Sequence, residues 1–115
     1  MEVQIFGIRK SPETRKALRF FADRRVKTHF VDLQERAASP GELRRFARQF
    51  GVDALLDRAS RRYADLGLAA ARLSEERWFD RLVEEPLLLR MPLVRSQHRL
   101  TIGDAEATWR EWTGQ

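Results

Sequence analysis

Apolar and polar positions follow two patterns along this chain: short apolar runs near both ends, and apolar residues at helical spacing between them. Val3, Ile5, Phe6 and Ile8 make residues 2 to 8 a strand buried on both sides, as in α/β proteins. The run breaks at Gly7 and a helix starts behind Ser11-Pro12. Ser11 suits an N-cap, where its hydroxyl accepts an otherwise unpaired N–H, and Pro12 suits the first helical position, where a missing N–H costs nothing. That helix runs to about Arg24 on a stripe of Thr14, Ala17, Leu18 and Phe21, with Phe20 beside it. Val26, Thr28, Phe30, Val31 and Leu33 mark a second strand, followed by a loop over residues 32 to 38. Ser39 and Glu42 form a capping box with Pro40 between them, and Leu43, Phe46, Ala47 and Phe50 form the buried stripe of the next helix. Gly51 is expected to stop it in the left-handed helical conformation.

From Val52 to Gly67 the pattern is shorter and charged, and it predicts a turn and a short helix. Ser74-Glu75-Glu76 opens a further helix, with Trp78, Phe79, Leu82 and Val83 inward as far as Pro86, so three consecutive helices separate the strands. Pro92 precedes a strand, a position a sheet tolerates; Ser96-Gln97 predicts a tight turn, and His98 to Ile102 a returning strand. Asp104 is expected to cap a last helix bearing Ala105, Thr108, Trp109 and Trp112 on one face. The order β-α-β, helices, β-β-α predicts an α/β, thioredoxin-like fold with a central mixed four-stranded sheet. Residues 1–115 then form one domain, with a helical insert over about 39–86. In that architecture the first strand-helix turn is the reactive corner.

Composition narrows the function classes. No apolar run approaches the ~20 residues that cross a bilayer, and Met1-Glu2 leading straight into a strand is not a signal peptide, so the expectation is a soluble cytoplasmic monomer without membrane contact. The 115 residues include 0 cysteines, which excludes disulfides, thiolate metal sites and direct thiol chemistry. The net charge of +5 permits an acidic partner. Basic residues alternate with acids along amphipathic helices, so they read as solvated faces and no direct nucleic-acid binding is expected. Tyr63, Trp78, Trp109 and Trp112 fall at helical spacing and read as core packing. His29 and His98 lie in no ligand or base-pairing motif, and no metal is assigned.

Three segments carry a family resemblance. Gly7-Ile8-Arg9-Lys10-Ser11-Pro12-Glu13-Thr14-Arg15-Lys16-Ala17 resembles the Gly-x-x-x-Cys-x-x-(Ser/Cys/Thr)-Arg-Lys-Ala opening of the arsenate reductase (ArsC)/Spx family of glutaredoxin-like proteins. Leu55-Leu56-Asp57-Arg58 with Tyr63-Ala64-Asp65-Leu66-Gly67-Leu68 resembles a second family segment, and Pro86-Leu87-Leu88-Leu89-Arg90-Met91-Pro92-Leu93-Val94 a third. The resemblance implies that Ser11 occupies the place of the nucleophilic cysteine and that Pro92 matches a cis proline. Asp57 and Met91 stand where arsenate reductases place arginines, with Arg58 and Arg90 each one residue away and Arg95 and Arg99 near the third segment.

Two readings follow. In the first, the chain is an ArsC/Spx-like protein without the catalytic cysteine, a non-catalytic binding or regulatory module. In the alternative, it is a thiol-dependent, glutathione- or glutaredoxin-linked oxidoreductase whose cysteine is replaced by Ser11. No residue is assigned a catalytic role, because a serine hydroxyl without a base is a poor nucleophile. Lys10, Ser11, Thr14, Arg15, Arg58, Arg90, Pro92 and Arg95 are the candidates for an anion or ligand site. Arg9 and Lys16 add positive charge, and the helix N-terminus favours anions. No cofactor is assigned; glutathione or an oxyanion is a candidate ligand. The candidate partners are an acidic protein, a small anion or, by resemblance to the Spx branch, RNA polymerase. The plainer expectations are a cap for Ser11, packing for Thr14, a turn residue for Asp57 and solvated surface for the arginines.

Overall fold

The computed structural model describes residues 1–114, which divide into a first unit of residues 1–32 and 91–114 and a second of residues 33–90. The first unit is a sheet of four strands, β1 (Glu2–Gly7), β2 (Lys27–Asp32), β3 (Leu93–Ser96) and β4 (Arg99–Ile102), with helices α1 (Pro12–Asp23) and α6 (Glu106–Thr113). The strand order is β2-β1-β3-β4. β1 and β2 are parallel, with Ile5 opposite Phe30, while β1-β3 and β3-β4 are antiparallel, with Ile5 opposite Val94 and Val94 opposite Thr101. This is the mixed sheet of a thioredoxin-like fold, as the element order predicts.

The core of this unit follows from the apolar stripes. Val3, Ile5 and Val94 from the sheet meet Ala17, Phe20 and Phe21 from α1 and Trp109 from α6, all buried. Phe20 and Phe21 lie edge to face with centroids 5.0 Å apart, and each ring centroid is 5.6 Å from that of Trp109. The Trp109 indole N–H donates to Thr101 Oγ1 at 2.9 Å, which satisfies the one polar atom of an otherwise apolar side chain.

Helix α1 ends without a glycine. Arg25 takes the left-handed position at φ 57°, its N–H donates to Ala22 O at 3.0 Å, and the Val26 N–H donates to Phe21 O at 3.0 Å. These are the two backward bonds of a Schellman stop, which pair carbonyls that the helix end would leave free. The hairpin closes one residue later than expected. Ser96 pairs with Arg99, so Gln97-His98 form the loop, and Gln97 has φ 58°.

The second unit holds α2 (Pro40–Phe50), α3 (Val52–Leu55), α4 (Arg61–Asp65) and α5 (Glu75–Glu84), with 3₁₀ turns at Leu68–Ala70 and Pro86–Leu88. Among the described residues there are thus four α-helices between β2 and β3 where the pattern predicts three. The extra helix is α3, a single turn that Gly51 opens directly after α2; the short helix the pattern predicts is α4, where the Ser60 hydroxyl accepts the Tyr63 N–H at 3.2 Å. The Ser39–Glu42 capping box forms as predicted, with the Glu42 N–H on Ser39 Oγ at 3.1 Å and the Ser39 N–H on Glu42 Oε1 at 2.8 Å.

Two expectations for α2 need correction. Leu43 and Phe46 are buried and Ala47 is half-buried, but Phe50, on the same face, is 39% exposed, because it is the last helical residue before the chain turns at Gly51. Gly51 has φ 85° and ψ 154°, which is not the left-handed helical conformation but an extended positive-φ geometry that glycine alone adopts readily. It ends α2 and at once opens α3.

Among the described residues no helix is long and apolar enough to cross a membrane.

Candidate functional site at the Ser11 corner

The turn between β1 and α1 is built from backbone bonds first. The Ser11 N–H donates to Ile8 O at 3.1 Å and closes the turn, and the Arg15 N–H donates to Ser11 O at 3.0 Å and opens the helix. Ser11 Oγ then accepts the Thr14 N–H at 3.2 Å, the cap expected from the sequence. It also donates to Glu13 Oε2 at 3.3 Å. Among the described residues Ser11 Oγ has no other hydrogen bond, so both of its bonds lie within the first turn of α1.

Thr14 is fully buried, and its Oγ1 is the one buried side-chain polar atom without a hydrogen-bond partner among the described residues. Its side chain lies over Gly7: a methyl group added there would stand 2.7 Å from Thr14 Cγ2 and closer still to Oγ1. Gly7 is therefore a close-approach glycine that lets the first turn of α1 sit against the end of β1. Sequence reading placed both residues in the motif but missed that they touch.

Arg15 turns back toward the chain before the helix. Its guanidinium donates to Arg9 O at 2.8 Å and Lys10 O at 3.0 Å and so ties the helix to the turn before it. Arg9 lies over the Phe30 ring at 4.8 Å, and Lys10 is exposed with no acidic partner among the described residues. Lys16 belongs to a different cluster, bonded to Asp104 at 2.7 Å and Glu106 at 3.3 Å. Asp104 is accordingly not the cap of α6: Ala105 is the N-cap residue, without a side-chain bond. Asp104 Oδ2 takes the Lys16 ammonium while its Oδ1 accepts the Glu106 N–H at 3.3 Å.

Pro92 is buried, the Met91–Pro92 bond is cis, and its carbonyl accepts the Gly103 N–H at 2.8 Å. Arg95 donates from Nε to Gln97 O at 2.7 Å, and Arg99 lies over the Trp112 ring at 5.2 Å, so both serve the hairpin and its helix. Arg58 and Arg90 belong to the second unit. Arg58 pairs with Asp53 at 2.6 Å, which raises its pKa, and Arg90 is exposed while its backbone N–H donates to Leu55 O at 2.8 Å. Asp57 behaves as the turn residue expected, its Oδ1 accepting the Ala59 N–H at 3.0 Å. Among the described residues no group of acidic or imidazole side chains is arranged to hold a metal ion.

The Lys16 cluster carries a pH prediction. The hydrogen bond from Lys16 holds Asp104 below the usual aspartate range, and bonds from Arg110 and then Lys16 do the same for Glu106; Lys16 itself is raised above 10.5, chiefly by Asp104. Depressed acids stabilise the fold above their unfolded pKa, and that contribution is lost as pH falls through the folded values. The raised lysine contributes below its unfolded pKa, and this is lost as pH rises through its folded one. The stability difference between wild type and Asp104→Asn is therefore expected to be small at neutral pH and to vanish at both extremes and in 1 M salt, read by thermal melts across pH. A difference that persists at pH 2 would show that Asp104 acts through something other than its charge.

The ArsC family's sequence profile matches residues 6–112. The chain belongs to the ArsC family. Solved structures agree on its fold. The chain superposes on the YFFB protein with a TM-score of 0.86 at 21% identity, over 95% of this chain and 96% of that one. Against the arsenate reductase from Vibrio cholerae the TM-score is 0.82 at 24% identity, over 96% and 97%. An ArsC family-related protein from Bacteroides fragilis gives 0.85 at 16%, also over 96% and 97%. Comparison with curated proteins gives no match. This ArsC-family chain thus has an arsenate reductase-like fold and no cysteine.

Proposed function

We propose that this ArsC-family chain is a non-redox binding or regulatory module that keeps the family scaffold without its thiol step. One observation carries the reading: the sequence has 0 cysteines, and Ser11, at the position of the family's cysteine, is engaged as a helix cap with the Glu13 carboxylate beside it. Thiol-disulfide exchange needs a thiolate, and none can form here. The partner chemistry supported best is an acidic protein surface. Lys10, Arg19 and Arg25 in the first unit, and Arg45 and Arg48 along α2, are cations without an acidic partner among the described residues, in a chain of net charge +5. Contact with RNA polymerase is one form of that partnership, suggested by resemblance to the Spx branch. A small oxyanion at the Ser11 corner is less well supported, because Glu13 places a negative charge there and Arg15 is spent on backbone carbonyls.

The second reading, an arsenate reductase-like oxidoreductase with its cysteine replaced, draws on the retained Gly7 and the Ser11 cap. One assay separates the two. Arsenate reduction is followed with glutathione and glutaredoxin as electron donors, for wild type and for Ser11→Cys. The binding-module reading expects wild type to match the protein-free blank and Ser11→Cys to stay within about twofold of it. Turnover by wild type overturns that reading outright, and a Ser11→Cys rate ten times the blank or more moves the assignment to a cysteine-replaced enzyme.

A further inference from the structure

We propose that a cleft in the second unit binds a small organic cation with an apolar body, an alkyl- or aryl-ammonium or a guanidine. The inference goes beyond the reading of the Ser11 corner and does not depend on it. The cleft has a volume of about 310 Å³ and is lined by Gly51, Val52, Asp53, Leu56, Arg58, Glu75 and Trp78. That volume is at the lower end of the ~300–1,000 Å³ of small-molecule pockets, so it suits a compact ligand and not a folded partner.

The walls and the rim select different parts of such a ligand. Val52 and Leu56 are buried, and half-buried Trp78 offers an indole, the aromatic ring that attracts cations most strongly. Gly51, extended at positive φ, contributes no side chain to the opening. The rim carries two carboxylates and one guanidinium. Arg58 is neutralised by Asp53 at 2.6 Å, and the Asp53 side chain is still 80% exposed. Glu75 is exposed and has no cationic partner among the described residues, whereas its neighbour Glu76 is met by Arg44 at 3.6 Å. The rim is therefore net negative on a chain that is net positive, and the unmatched charge lies beside the indole. An ammonium group fits there; a carboxylate or phosphate would face Glu75 and find Arg58 already paired.

The charge logic gives opposite signs for two substitutions. Removing the unmatched carboxylate in Glu75→Gln weakens a cation, whereas removing the rim's one positive charge in Arg58→Gln strengthens it. Both residues are exposed, so neither substitution opens the core. The probes are 2-phenylethylammonium, the neutral 2-phenylethanol and the anionic 3-phenylpropionate. Each is titrated while the indole N–H resonances are followed by NMR, with Trp78 assigned through Trp78→Phe and fully buried Trp109 as the internal control.

The expected result is a Trp78 shift with the ammonium binding about tenfold tighter than the alcohol, and affinity changes of about twofold to fivefold, down for Glu75→Gln and up for Arg58→Gln. Three results overturn the proposal: no Trp78 shift with any probe, an alcohol that binds as tightly as the ammonium, or a carboxylate that binds best and is lost in Arg58→Gln.

Discussion

Trp109→Ala is expected to destabilise the protein by about 3–5 kcal/mol, a large share of the ~5–15 kcal/mol that holds a domain together. The indole is fully buried, it is in ring contact with both Phe20 and Phe21, and it joins the only α6 side chain that is fully buried to strands β1 and β3 through Val3, Ile5 and Val94. Truncation removes the transfer energy of the ring and leaves a cavity between three elements that cannot all close on it. A second substitution separates packing from hydrogen bonding. Trp109→Phe keeps most of the ring but leaves Thr101 Oγ1 buried without its donor, a loss of about 1–3 kcal/mol. Thr101→Val strands the indole N–H instead. The double variant Trp109→Phe/Thr101→Val leaves neither group unpaired and should lose less than the two single losses added together. Urea unfolding followed by far-UV circular dichroism reads all four. A Trp109→Ala loss below ~1.5 kcal/mol would show that the first unit is not organised around this ring.

The sequence exposes this core because it is periodic. Ala17, Phe20 and Phe21 recur at helical spacing, Val3 and Ile5 alternate, and the Ser-Pro starts of α1 and α2 are local signals that need no tertiary context. The mixed sheet follows from element order. What was illegible has local causes too. The stop of α1 at Arg25 carries no glycine, so its Schellman bonds leave no mark in residue type. The hairpin shifts by one residue because Gln97, not a glycine or asparagine, takes the positive φ. Helix α3 has four residues, too short to show a stripe.

The site was legible in a different way. Residue type alone marks Ser11 as a cap and excludes thiol chemistry. The tasks of Arg15, Lys16 and Asp104 depend on which neighbour each long side chain reaches. Arg15 turns back to the carbonyls of residues 9 and 10, and Lys16 reaches Asp104, 88 positions away. No one-dimensional pattern encodes either choice. The rule that acids favour helix starts predicts Asp104 as a cap and is half right: it does accept one α6 N–H, but its other oxygen belongs to α1.

Gly7→Ala is expected to cost about 1–3 kcal/mol through overpacking, because the new methyl would meet Thr14 Cγ2 at 2.7 Å and Oγ1 closer still. An alanine in a strand would otherwise be neutral or slightly stabilising relative to glycine, by up to ~1 kcal/mol, so the sign itself reports the clash. Thr14 is fully buried at the start of α1 and cannot swing outward without moving the turn that holds Ser11. Thr14→Ala alone should change stability by less than ~1 kcal/mol: it removes a buried hydroxyl that has no partner, which offsets the lost packing of its methyl. In the double variant Gly7→Ala/Thr14→Ala the space left by threonine takes the new methyl, so most of the Gly7→Ala loss is recovered and the coupling is about 1–2 kcal/mol. The four unfolding curves measure that coupling. Additive losses would mean that Gly7 is required for some reason other than the approach of Thr14. A recovered double variant would establish that one glycine and one threonine, seven residues apart, set how closely α1 approaches β1, and with it where Ser11 sits.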